Sequence, residues 1–196
     1  MDTHIYKIGN NLYINLTNRC SNRCTFCVRD QSAEYEGYSL WLKEGEPTAG
    51  QIIAEIGDPC KYEEIVFCGY GEPTYRLEAI KQISGYVHMN GGKTRLNTNG
   101  HGNIINERDI AGELVGLVDG INISLNAPDK EGYDALCRPI IDGAYEGMID
   151  FAKACKAAGL NCWFSVVDCI GEAAVARCRE IAKSVGIPLR VRAFIN

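Results

Sequence analysis

The sequence predicts an α/β fold, a single domain over residues 1–196 in which a parallel six-stranded sheet forms an open partial (βα)6 barrel. Three observations carry this. Short β-rich runs alternate with stretches of helical period, the pattern of successive βαβ units. Six such runs in 196 residues allow about 33 residues per unit, close to the length one βαβ step takes and too few for eight units. The sixth run reaches the last residues, so no further strand closes the sheet.

In chain order, an apolar run at 5–8 followed by Gly9-Asn10-Asn11 predicts a hairpin over 4–16 with the first barrel strand, 12–17. The later strands are predicted at 64–68, 94–97, 120–125, 161–167 and 189–195, where β-branched and apolar residues cluster. Helices are predicted at 48–57, 76–89, 107–118, 145–158 and 172–185, where apolar residues recur three and four apart. The connection 29–47 has no clear helical period and far exceeds the about 2 to 6 residues usual for such loops. It mixes Tyr35, Tyr38, Leu40, Trp41 and Leu42 with Glu34, Glu36, Glu44 and Glu46, which suggests a mobile lid. The plainer alternative is that Trp41 and Leu42 pack on the barrel side.

Composition narrows the function. The chain is 46% hydrophobic and 23% charged, as ordinary globular domains are. Twenty Lys and Arg against 25 Asp and Glu give a formal charge of −5 with no block of like charge, which disfavours nucleic acid as a partner. No apolar run approaches the roughly 20 residues of a membrane-spanning helix. The first residues lack the basic and apolar stretches of a signal peptide, so the reading is cytoplasmic. In a reducing compartment the 10 cysteines are ligands, catalytic thiols or core residues rather than bridges.

Directly after the first barrel strand stands Cys20-Ser21-Asn22-Arg23-Cys24-Thr25-Phe26-Cys27, with three thiols in eight residues. Three thiolates can hold three irons of a cubane cluster and leave the fourth iron open to an exogenous ligand. The alternative is a zinc site completed elsewhere, by His101 or by Cys60, Cys68, Cys137, Cys155, Cys162, Cys169 or Cys178.

This Cys-x3-Cys-x2-Cys loop, placed after the first strand of an open six-unit barrel, resembles the radical S-adenosylmethionine (SAM) superfamily. Within it, Asn18-Arg19-Cys20 and Cys27-Val28-Arg29-Asp30 most resemble the small proteins linked to TatD-type hydrolases. The resemblance implies a [4Fe-4S] cluster on Cys20, Cys24 and Cys27, SAM on the open iron with Phe26 near its adenine, and a flavodoxin- or ferredoxin-type reductant. It implies reductive cleavage of SAM to a 5′-deoxyadenosyl radical that abstracts hydrogen from a substrate.

Ligands of open α/β sheets bind beyond the carboxyl ends of the strands, so unusual residues are expected at those ends. Gly69-Tyr70-Gly71-Glu72-Pro73 after the second barrel strand is similar to the family's Gly-Gly-Glu-Pro segment for the SAM ammonium. Its glycines permit close approach to a ligand, and Glu72 could add its charge. Asn97, Thr98 and Asn99 after the third strand, and Ser124 and Asn126 after the fourth, offer bonds to ribose or carboxylate. Asp168 is a weaker candidate. Arg190 and Arg192 share one face of the last strand, where a guanidinium suits a carboxylate from SAM or substrate. His101 is expected to face solvent. No residue is assigned as catalytic on the substrate. Glycyl-radical-enzyme activases and deazapurine synthases are the alternative enzymes, and a non-catalytic iron-sulfur or zinc protein is the alternative of another class.

Overall fold

The computed structural model describes residues 2–31 and 34–193. Seven strands form one sheet in sequence order: β1 (Ile5–Ile8), β2 (Asn11–Ile14), β3 (Ile65–Phe67), β4 (Thr94–Thr98), β5 (Gly120–Ser124), β6 (Cys162–Val167) and β7 (Leu189–Arg192). β1 pairs antiparallel with β2, and every later pair is parallel. The expected six-stranded parallel sheet is therefore present with the predicted hairpin added as a seventh strand, because Gly9 turns at φ 57° and returns the chain in register. The end of the sixth predicted run, 194–196, lies outside the described residues.

Alternation along the strands sorts the two faces. Leu12, Ile14, Ile65, Phe67, Leu96, Ile121, Ile123, Phe164 and Val166 join the main core. Their neighbours Tyr13, Val66, Asn97, Asn122, Ser124, Trp163 and Ser165 take the opposite face, with Asn97 beside Asn122 and Ser124 beside Ser165. A core-facing sheet side that is apolar and a second side rich in amides and hydroxyls is what an open barrel with a polar lumen requires.

Helices cover the apolar side. α1 (Val28–Gln31) is one turn. α2 (Ala49–Ile56) starts on a capping box, Thr48 accepting from Gln51 N at 3.2 Å while Gln51 Oε1 accepts from Thr48 N at 2.8 Å, and buries Ile52 and Ile56. α3 (Leu77–Met89) buries Leu77, Ile80, Ile83 and Val87, α7 (Ala144–Ala157) buries Met148, Phe151 and Cys155, and α8 (Glu172–Val185) buries Cys178, Ala182 and Val185.

Two differences from the sequence reading have local causes. Of the predicted helix 107–118 only α5 (Ala111–Leu114) is helical, and an unpredicted turn of helix, α4 (Gly102–Ile105), stands before it. Asn103 Oδ1 accepts from Ile110 N at 3.0 Å, Asp109 Oδ1 accepts from Ala111 N at 2.9 Å, and Glu107 sits at φ 53°, so side-chain bonds divert the backbone from a continuous helix. The unpredicted α6 (Lys130–Cys137) begins at Asp129, which accepts from Gly132 N at 2.7 Å, and buries Tyr133 and Cys137 one turn apart.

Candidate functional site

The cysteine loop is seated on the last turn of α6. Arg23 N donates to Cys137 O and Thr25 N to Leu136 O, both at 2.9 Å, so the helix's terminal carbonyls, which lack intrahelical partners, hold the loop. Ile140 N returns a bond to Ser21 O at 2.9 Å, and Phe26 packs half-buried on the core.

Burial pushes the Cys20 thiol up to about 12 and raises Cys27, while Cys24 is raised first by a hydrogen bond with Cys137 and then by burial. Cys137 is correspondingly lowered because Cys24 donates to it. The Arg29 charge pulls all three loop thiols the other way, and Arg29 Nη1 donates to Asn18 O at 3.3 Å and Tyr70 O at 3.4 Å, its side chain only 14% exposed. Among the described residues no three His, Cys, Asp or Glu side chains converge on one metal-ion position. A cubane instead distributes its cysteines over separate irons, so three half-buried thiols on one loop, beside a cation that favours thiolate, fit a cluster better than a single ion. Metal must displace their protons on binding.

The loop after β3 packs against the segment that leads into Cys20. A Cβ on Gly69 would lie 2.1 Å from Asn15 Oδ1, and one on Gly71 2.3 Å from Thr17 O and 2.5 Å from Arg19 O. Gly69 thus makes room for the Asn15 side chain and Gly71 for the backbone carbonyls of Thr17 and Arg19, so on this side the close approach is made by the protein itself. Tyr70 is buried with Tyr6 and Leu40. Glu72 also departs from its expected place: its carboxylate, 3% exposed, turns inward. Oε1 accepts from Thr74 N (3.1 Å), Thr74 Oγ1 (2.7 Å) and Thr98 Oγ1 (2.8 Å), and Oε2 accepts from Asn99 N (2.7 Å). Burial raises its pKa against these four donors. Glu72 joins the ends of β3 and β4, and Thr98 is one of its holders.

Asn99 reaches back to the cysteine loop, its Nδ2 donating to Ser21 Oγ at 2.8 Å and lying 3.9 Å from Cys20 Sγ. Asn97 stands on the luminal wall, where Oδ1 accepts from Arg95 Nη1 at 2.7 Å and the amide bonds the Cys68 thiol. At the end of β5, Asn126 adopts φ 58° and donates to Cys137 Sγ at 3.5 Å, leaving Oδ1 buried without a partner. Asn122 Oδ1 and Ser165 Oγ are buried and unpartnered likewise, on the face that carries Ser124. Unsatisfied buried polar atoms are scarce in folded proteins, and these three, on adjoining β5 and β6 and just after β5, are oxygens that a ligand could satisfy. Asp168, directly after β6, is exposed and lines a cavity of about 320 Å³ with Glu172, Arg179 and Val191.

His101 is the clearest reversal. Expected in solvent, it is fully buried, with Nδ1 2.8 Å from Ser21 Oγ and Nε2 3.1 Å from Tyr133 Oη, which accepts from Asn22 Nδ2 at 3.0 Å. His101 and Tyr133 thus brace the cysteine loop through its Ser21 and Asn22, a role visible only once α6 is in place. Burial pushes His101 down to about 4. The folded state therefore favours the neutral ring: its contribution is complete above an unfolded pKa of about 6.5 and fades as pH falls toward 4. Urea titrations should show His101→Gln losing up to roughly 3 kcal/mol at pH 7, with the gap from wild type closing by pH 4.5. A gap constant with pH would mean that the ring is not buried neutral.

The segment 34–47 is tied down along its second half. Leu40 and Leu42 are buried, Asn15 Nδ2 donates to Leu40 O at 2.6 Å, and Asn18 bonds both N and O of Leu42 at 3.1 and 2.8 Å. Leu42 packs as the plainer alternative had it, whereas Trp41 stays 45% exposed. Tyr35 and Tyr38 pair across a tight turn.

The family model described as the radical SAM superfamily matches residues 14–172. Among curated proteins, the GTP 3',8-cyclase of Corynebacterium glutamicum (strain R) is 31% identical over 160 residues, covering 79% of this chain and 40% of the cyclase. That of Petrotoga mobilis is 26% identical over 153 residues, covering 76% of this chain and 44% of its own. The chain thus spans less than half the length of these relatives. Among solved structures, Streptococcus suis SuiB bound to S-adenosylmethionine superposes with a TM-score of 0.69 at 17% identity, over 95% of this chain and 39% of SuiB. Native anSMEcpe with bound AdoMet gives 0.66 at 16%, over 94% and 51%. These structures share the fold.

Proposed function

The chain belongs to the radical SAM superfamily, and from this we propose an enzyme that reductively cleaves SAM and takes hydrogen from a substrate held in the barrel lumen. When bound, a [4Fe-4S] cluster and SAM supply the electron and the 5′-deoxyadenosyl radical. Cys20, Cys24 and Cys27 would hold the cluster, and Phe26, the backbone of Gly69, Tyr70 and Gly71, and Asn97, Asn99, Ser124 and Asn126 would receive SAM. Thr98 and Glu72 would act from behind, by fixing the strand ends. The observation that carries the proposal is the junction of the cysteine loop with the β3 and β4 ends: Glu72 N donates to Arg19 O at 2.7 Å while Asn99 Nδ2 donates to Ser21 Oγ. A cluster ligand and the strand-end polar groups are thereby one rigid rim. Because Tyr70 O already accepts from Arg29, the Gly69 and Gly71 carbonyls are the proposed acceptors for an ammonium.

Residues 34–47, the described part of the expected lid 29–47 beyond α1, are proposed to cover the lumen, and an electron donor of flavodoxin or ferredoxin type to supply the electron; 32–33 lie outside the described residues. The motif text favours the small TatD-linked branch. The cyclases' named reaction on GTP, glycyl-radical activation and deazapurine formation are the candidate substrate chemistries.

Anaerobically reconstituted, dithionite-reduced protein should release 5′-deoxyadenosine and methionine from SAM. Cluster-loaded protein that releases neither would leave the non-catalytic iron-sulfur reading. SAM binding should also depend on the end of β5. Ser124→Ala combined with Asn126→Gly, glycine avoiding strain at φ 58°, should cost about 1 kcal/mol per lost bond, or ~30-fold in Kd for the pair. An unchanged Kd would remove β5 from the SAM site.

A further inference from the structure

On the luminal side of β6 and β7 lie two positive charges that neither the cluster nor the rim employs. Leu189 packs on the core, so Arg190 and Arg192 project from the opposite face, in register with Ser165 and Val167 of β6. The Arg190 guanidinium lies 3.7 Å from the ring centroid of Trp163. Arg192 stands two residues further along the same face, and both guanidinium-bearing residues are exposed on β7 at the open edge of the sheet. Arg19, Arg76, Arg95, Arg108 and Arg177 each hold a carboxylate at 2.8 to 2.9 Å. Among the described residues Arg190 and Arg192 hold none. Beside them on the same face stand Ser165 Oγ and Asn122 Oδ1, both buried and without a partner.

We propose that this patch is the substrate-anchoring half of the lumen and takes a small molecule bearing an anionic group, with hydroxyl or amine donors next to it. Arg190 and Arg192 receive the anion, with Arg190 held flat by Trp163 so that its donor edge stays free for two parallel bonds. Ser165 and Asn122 meet the hydroxyl or amine, which satisfies the two orphaned oxygens. This rests on the radical SAM reading for the lumen as reaction chamber, and of the two carboxylate sources the sequence leaves open, SAM or substrate, it gives Arg192 to the substrate.

The test uses the apoprotein, so it does not depend on cluster loading. In a Trp41→Phe background Trp163 is the sole indole, and its emission reports on Arg190. Inorganic phosphate and L-malate are titrated in separate arms at constant ionic strength set with chloride. A saturable change with millimolar half-saturation in either arm is expected, weakened tenfold or more by Arg190→Gln with Arg192→Gln while the circular dichroism is retained. Saturation by phosphate alone assigns a phosphorylated substrate, by malate alone a carboxylate, and by both an anion of either kind. No saturable response in either arm, or one that survives the double substitution, overturns the proposal. So does a tenfold loss of SAM affinity in the reconstituted double variant, which would give the pair to the cofactor. Failure of the wild type to cleave SAM tells against the radical SAM reading while leaving the anion titrations readable.

Discussion

Replacing Cys20, Cys24 and Cys27 together by alanine should give a folded protein that retains no iron or sulfide after anaerobic reconstitution and releases no 5′-deoxyadenosine from SAM. The fold survives because the loop is held by its backbone, through Arg23 N and Thr25 N on the α6 carbonyls and Glu72 N on Arg19 O, none of which needs a thiol. The cluster does not survive because no other group of three thiols shares a loop. Cys60 and Cys169 are exposed, and their alanine variants serve as controls that should load fully. Cys137 is the informative comparison, being the one further thiol in contact with a loop cysteine. Its bonds to Cys24 and to Asn126 mark it as a support for the loop, so Cys137→Ser should still bind a full complement of iron. Stoichiometric iron and sulfide in the triple variant would sink the assignment, and loss of metal from Cys137→Ser would point to a four-thiol site of structural type.

Legibility in the sequence followed the range of the interactions. Strands with continuous apolar character, such as Phe164 and Val166 on β6, were visible because burial on one face writes its own pattern. The three-cysteine loop was visible because its ligands are near neighbours in sequence. What stayed hidden depends on partners far along the chain. Helix α6 offers only Tyr133 and Cys137 as buried positions, and an Asp129 cap is too common a signal to announce it. Without α6 there was no reason to bury His101, whose Nε2 partner is Tyr133 on that helix. The glycines after β3 are close-approach positions, but what approaches them is Asn15 or the backbone of 17–19, groups more than 50 residues away in sequence. Arg29 reaches both Asn18 O and Tyr70 O, which no spacing rule foretells.

Glu72 is where a substitution should have its largest effect on stability. Its sequence context suggested a charge offered to a ligand, yet the carboxylate is closed off by four donors from its own loop and from β4. In Glu72→Ala the hydroxyls of Thr74 and Thr98 can rotate toward other acceptors, but the N–H groups of Thr74 and Asn99 cannot. Each orphaned buried amide costs about 1–3 kcal/mol, so with the cavity added the apoprotein should lose roughly 3–6 kcal/mol, a large part of the ~5–15 kcal/mol that holds a domain folded. Glu72→Gln retains one oxygen for the threonine donors and turns an NH2 toward Asn99 N, and it should lose roughly 1–3 kcal/mol. Freed from Glu72, Asn99 no longer holds Ser21, so the cysteine loop should loosen and cluster yield fall together with stability. Urea unfolding of the apoproteins, followed by iron analysis after reconstitution, separates this from the alternative. If Glu72→Ala is as stable as wild type and loads iron normally but binds SAM weakly, the carboxylate faces the ligand; a fall in stability before any ligand is added means that it works by tying two strand ends together.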